Sequence, residues 1–316
     1  MSLAVCLLAY SLVVAVLTPD ALRGATRSGA DPRMAIAVWV LAIGSLPAAW
    51  LGAITLAGAE LILAGGDLAE VLAGCVAALR GAATGAYGAP AQVGLLALTV
   101  LVAIGLAVLV VRLGRILRRA RRHTHRHADA ARLLGQMDET LGALVVDVPD
   151  RLAYAVAGRP HTIVLSRPTL AALDSAQLQA VLAHERAHLA GRHHLLLAAA
   201  RALATTMPWI RLFTEGSREL SRLVEMSADD AAASAHGSRT LVGALLALAA
   251  GPARPDGALA AAATAVADRA ERLLFPPTAE HQRADRLRLR LAVTALLTAP
   301  VLVLALSWLC EALISP

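Results

Sequence analysis

Apolar positions follow two different patterns along the chain. Residues 3–18, 34–64, 92–111 and 291–309 are nearly continuous apolar runs. Between 128 and 290 the apolar residues instead recur at helix or strand spacing. About 20 apolar residues in helix cross the hydrocarbon of a bilayer, so the four runs predict four transmembrane helices. The first run is short and ends at Pro19-Asp20. It has neither a basic leading region nor a small-residue cleavage site after it, so it reads as a span and not as a signal peptide. Gly44 and Pro47 interrupt the second run, whose length suits one long or kinked span.

The part from 128 to 290 predicts a helix over 128–137. Short strands follow at 143–146, 153–156 and 162–165, separated by Asp, Pro and Gly turns. Helices follow over 175–190, 193–206, 217–235, 238–250 and 257–273. Pro276-Pro277 breaks the pattern before an Arg-rich helix near Ala279. The fold class is therefore a mainly α membrane protein, with an α+β domain inserted between the third and fourth spans. The domain boundaries are 1–127, 128–290 and 291–316.

Charge orients this arrangement. Arg112, Arg115, Arg118, Arg119, Arg121, Arg122 and Arg126 follow the third run directly. Basic residues beside a span mark the cytoplasmic side. The inserted domain is then cytoplasmic, the 21–33 link with Arg23, Arg27 and Arg33 is inside, and the 65–90 link with Asp67 and Glu70 is outside. Both termini are expected outside. Beside a span, the basic run reads as a contact with lipid headgroups in preference to nucleic acid. Aromatic residues are only 3% of the chain, which also argues against base stacking. Cys6, Cys75 and Cys310 are scattered and form no metal or redox framework.

The chemistry concentrates in His184-Glu185-Arg186-Ala187-His188, an H-E-x-x-H sequence. Residues four apart share a helix face, so both histidines can reach one metal ion. Glu185 lies about 100° around the helix, where it can act as a general base on water without being a ligand. Asp174 and Gln177 form a capping box ahead of this helix, and Gly191 is a stop after it. This context favours the metal reading over a chance pair of histidines. Catalytic zinc takes three protein ligands and keeps one position open. Glu225 and Asp229 are four apart on a later helix, so Glu225 is the candidate third ligand and Asp229 a candidate partner for a ligand histidine. His193 and His194 are rivals for the third position, at a spacing less suited to it. The strand 162–165, just before the metal helix, is either ordinary core or an edge that holds substrate backbone.

The H-E-x-x-H, the later Glu225 and Asp229, and their placement between a third and a fourth span resemble the BlaR/MecR family of regulatory membrane metallopeptidases. A more distant similarity is to the HtpX and Ste24 peptidases. The resemblance implies a gluzincin-type, Zn2+-dependent endopeptidase facing the cytoplasm. In it His184, His188 and Glu225 bind zinc, Glu185 is the base, and Asp229 supports a ligand. It implies a protein substrate, a transcriptional repressor or the chain itself, in signal transduction. The expected surroundings are a lipid bilayer and further copies of the chain, with no direct nucleic-acid contact. Two departures stand out. The extracellular penicillin-binding domain of the receptors is not expected, because the chain ends soon after the fourth run. The His-Pro segment of HtpX-like relatives is replaced by Phe275-Pro276-Pro277, with Arg283 and Arg286 as the remaining candidates for substrate or transition-state contact. A housekeeping protease of membrane proteins and a non-enzymatic receptor with a structural zinc site are the alternatives. The intact Glu185 speaks against the last.

Overall fold

The computed structural model describes residues 3–65, 89–158, 160–250 and 258–314. Three long helices open the chain, α1 (Leu3–Thr26), α2 (Pro32–Gly65) and α3 (Ala89–Leu134). Neither Pro19 nor Pro47 ends its helix. The predicted link 65–90 lies almost wholly outside the described residues. α3 runs unbroken from the third apolar run through the basic segment, so the helix predicted at 128–137 is the end of a longer one. Its last predicted turn is instead a strand, β1 (Gly135–Asp138).

Three strands complete a small sheet, β2 (Ala143–Val146), β3 (Ala153–Val156) and β4 (Thr162–Ser166), in the order β1-β2-β4-β3. β4 runs parallel to β2 and antiparallel to β3, with Ala155 opposite Ile163. All five residues of β4 are buried. An unbroken apolar strand covered on both faces is what Ile163-Val164-Leu165 encodes. β4 is thus an inner strand and cannot offer an edge. β3 is the edge nearest the metal helix.

Seven helices follow: α4 (Arg167–Ala172), α5 (Ser175–Ala190), α6 (His193–Thr206), α7 (Arg211–His236), α8 (Ser238–Ala249), α9 (Ala258–Leu274) and α10 (Ala279–Ile314). α5 carries the H-E-x-x-H. The Asp174 carboxylate accepts from Gln177 N at 2.8 Å, and the Gln177 side chain accepts from Asp174 N at 3.1 Å. Leu182 packs with Ala143, Ile163 and Leu165 and fixes α5 on the sheet. Ala180 packs with Leu241, Val242 and Ala232 of α8 and α7.

α1 and α2 are each long and apolar enough to cross a membrane. They also share a core with the part that carries the H-E-x-x-H. Trp39, Ile43 and Leu46 of α2 are buried together with Leu212, Phe213, Leu220 and Leu223 of α7. Gly216 permits the approach, since a Cβ there would meet Ile43 Cδ1 at 2.7 Å and Trp39 Cε3 at 3.1 Å. Polar contacts extend the junction. Arg222 donates to the Thr26 carbonyl at 2.8 Å, capping the end of α1, and Arg272 donates to the Gly29 carbonyl at 3.1 Å. α7, which carries Glu225 and Asp229, is therefore held by α2 at its start and by the α1–α2 turn along its middle.

Candidate metal centre

α5 and α7 cross so that His184, His188 and Glu225 converge. Their nearest ligating atoms all lie within 4.8 Å of one another. His188 Nε2 is 3.1 Å from His184 Nε2. Glu225 lies 3.6 Å from His184 Nε2 through Oε2, and 3.5 Å from His188 Nε2 through Oε1. Ligands about 2.0–2.1 Å from a tetrahedral zinc stand about 3.3 Å apart. The three donors bracket that spacing, so these residues fit such an ion without rearrangement.

Each histidine is held from behind. His184 Nδ1 faces Asp229 Oδ1 at 3.1 Å, and the Asp229 side chain is fully buried. His188 Nδ1 faces His193 Nδ1 at 2.9 Å. Both rings thus turn Nε2 to the common point, and a partner on Nδ1 fixes the tautomer that leaves Nε2 free. His193, a rival ligand by sequence, sits behind His188 and not beside it. Gly191 makes this possible, because a Cβ there would lie 2.3 Å from His193 Nε2. His194 is not among the converging donors and stands between the cleft and a neighbouring cavity, lining both.

Arg269 of α9 closes the back of the site. Its Nε and Nη2 donate to the two Asp229 carboxylate oxygens at 2.8 and 2.5 Å, and its Nη1 is 3.5 Å from Glu225 Oε2. This fork balances the buried Asp229 carboxylate and reaches the partly exposed Glu225. Sequence reasoning missed it. Arg283 is exposed, and Arg286 faces Asp31 at 3.7 Å. Neither lines the cleft, whereas Arg269, from one helix earlier, and Arg151, ahead of β3, both do.

The electrostatics follow from this packing. Burial disfavours a charged His184, but Asp229 and Glu225 outweigh it and raise its pKa to about 9. Burial lowers His188 to about 4, with His184 and His193 adding to the effect against Glu225. Burial opposes ionisation of Asp229, yet Arg269 and His184 hold it at about 2. Glu185 is pushed up by burial, in part offset by His184 and by a hydrogen bond from the Ala155 N–H. That N–H belongs to β3 and turns away from β4, toward the cleft. The cleft has a volume of about 610 Å³ and runs along Arg151–Ala155 and Ala157 on one side and His184, Glu185 and His188 on the other.

A buried carboxylate beside two histidines and a third donor, under an open strand edge, is an arrangement that could hold a metal ion and support hydrolysis. Residues 117–210 match the profile of peptidase family M48, a stretch that includes the sheet and the whole H-E-x-x-H helix. The match supports a metallopeptidase. No curated protein and no solved structure matches the chain.

Proposed function

We propose that this protein is a zinc endopeptidase anchored in a membrane by four spans, with its cleft on the cytoplasmic side. The observation that carries the reading is the convergence of His184, His188 and Glu225 beside a buried Glu185. Bound zinc would lower the pKa of its water toward neutrality and polarise the scissile carbonyl. Glu185 takes the proton from the attacking water and returns it to the departing amine. Its raised pKa suits both halves of that exchange. The outward edge of β3 pairs with the substrate backbone as an added strand, which lays the peptide across the two histidines. Asp229 and His193 keep the ligand rings in place, and Arg269 holds Asp229 ionised and oriented.

The basic run on α3 supports a cytoplasmic cleft. The substrate class that follows is a cytosolic protein, a transcriptional repressor, or the chain itself. A signalling role is the finer reading by resemblance to the BlaR/MecR receptors. Metal analysis of purified variants tests the site. His188→Ala and Glu225→Ala are expected to lose zinc and peptide cleavage together. Full zinc occupancy in Glu225→Ala would move the third ligand elsewhere and overturn the assignment.

A further inference from the structure

A second cavity, of about 570 Å³, adjoins the catalytic cleft and shares Ala157 and His194 with it. Its basic lining is Arg121 and His125 from α3, His161 from the β3–β4 turn, Arg192 from the α5–α6 turn and His194 from the first turn of α6. No described residue lining it is a carboxylate. His161 and His194 rings stand 6.4 Å apart. Burial and then the nearby His161 and Arg192 hold the His194 pKa down, which leaves Arg121 and Arg192 as the fixed positive charges of the lining.

The backbone gives an independent sign. Arg192 has φ 48° and ψ 36°, and among the described residues it is the one non-glycine with positive φ. A long side chain in that region costs about 1 kcal/mol or more, and such strain collects at binding sites. Glycine would fit the turn without cost. An arginine stands there instead, at the wall of this cavity.

We propose that this cavity is a subsite of the cleft that takes an acidic side chain of the peptide substrate. The proposal rests on the peptidase reading above. A peptide strand on the edge of β3 places its scissile bond near Ala155, which bonds Glu185. Ala157 is two residues along, about 6.6 Å at strand rise, and opens into the cavity. A Glu two or three residues from the scissile bond reaches Arg121 and Arg192. A lipid phosphate would compete for the same chemistry, but position disfavours it. Arg121 is ten residues past Val111, the end of the third apolar run. That is about 15 Å of helix, whereas the headgroup layer is about 5–8 Å deep.

Binding decides it without turnover. Full-length Glu185→Gln protein, loaded with zinc in detergent, is titrated with short fluorescent peptides that differ only by Glu or Gln at each of the nearest positions on either side of the bond. One position is expected to bind about tenfold tighter with Glu, the size of one charge-assisted hydrogen bond. The preference should vanish in Arg121→Gln/Arg192→Gly, while the Gln peptide binds unchanged. Arg192→Gly relieves backbone strain, so its loss of binding is not a folding defect. Equal binding of Glu and Gln peptides at every position would overturn the proposal, as would a preference that survives in the double variant. A defect confined to phosphatidylglycerol vesicles would make the cavity a headgroup site and also overturn it. No binding of any peptide, with zinc retained, would sink the peptidase reading itself.

Discussion

His193 and Gly191 show how closely single residues are tied to the metal site. The His193 ring backs His188 only because position 191 carries no Cβ. Gly191 itself has an ordinary helical backbone, with φ −75°, so an alanine there is not strained by conformation. Gly191→Ala is therefore expected to displace His193 and weaken zinc by about 10- to 100-fold, the usual cost of losing a partner behind a ligand histidine. His193→Ala should do the same, and competition with a zinc-binding dye reads both. Unchanged affinity in either variant would mean that the His188 ring is oriented by α5 alone. At this scale helix periodicity made His184, Glu185 and His188 legible as one group and paired Glu225 with Asp229, but only the crossing of α5 and α7 brings Glu225 to the histidines. Arg269 left no such trace. It lies 40 residues from Asp229 among several arginines, and only the packing of α9 against α7 selects it.

At the scale of elements, the proposed function gives the handling of substrate to the open edge of β3, which lines the cleft. Its Ala155 N–H faces Glu185 and the cleft, whereas Tyr154 is opposite Val164 in the ladder. Proline removes an N–H and is tolerated on edges where that N–H faces outward. Ala155→Pro is expected to keep the fold and zinc while lowering kcat/KM roughly tenfold, because the proline removes the hydrogen bond that Ala155 N–H gives Glu185. Tyr154→Pro should lower Tm instead, because it removes a bond to β4. Thermal melts and peptide kinetics on the pair separate the two roles, and a lower Tm in Ala155→Pro alone would reverse the assignment. The sequence left β4 open between core and substrate-holding edge, and only the sheet order makes it an inner strand, a place its unbroken Ile-Val-Leu run suits. It could not show which neighbour becomes the edge, since order in a sheet is a tertiary property. β1 was hidden by its four polar-leaning residues, which continue the composition of the helix before them.

At the scale of the molecule, the apolar helices and the catalytic part are one packed body. α2 buries Trp39 and Ile43 against α7, and α7 brings Glu225 to α5. A shift of α2 relative to α1 would therefore be felt at Glu225, the proposed third ligand, by a rigid-body movement. The apolar runs were legible as candidate spans, but their contact with α7 was not, because lipid and protein select the same apolar side chains. The outer faces of α1 and α10 remain apolar and exposed, with Leu12, Leu17, Leu297 and Val301 among them. A lipid environment suits such faces. The proposed topology puts Ser175, exposed at the start of α5, in the cytoplasm. Ser175→Cys, in a chain whose own cysteines are replaced, should react with an impermeant maleimide only after cells are opened. Labelling of intact cells would place the cleft outside.

The central claim is that Glu185 serves water chemistry at a metal it does not bind. Purified wild-type and Glu185→Gln proteins, compared for zinc content and for cleavage of a peptide library and of themselves, test it most directly. The account predicts equal zinc in both and a loss of cleavage of at least about 100-fold in the variant, the scale of a missing general base. Cleavage that persists in Glu185→Gln at near wild-type rate, with zinc still bound, would contradict it.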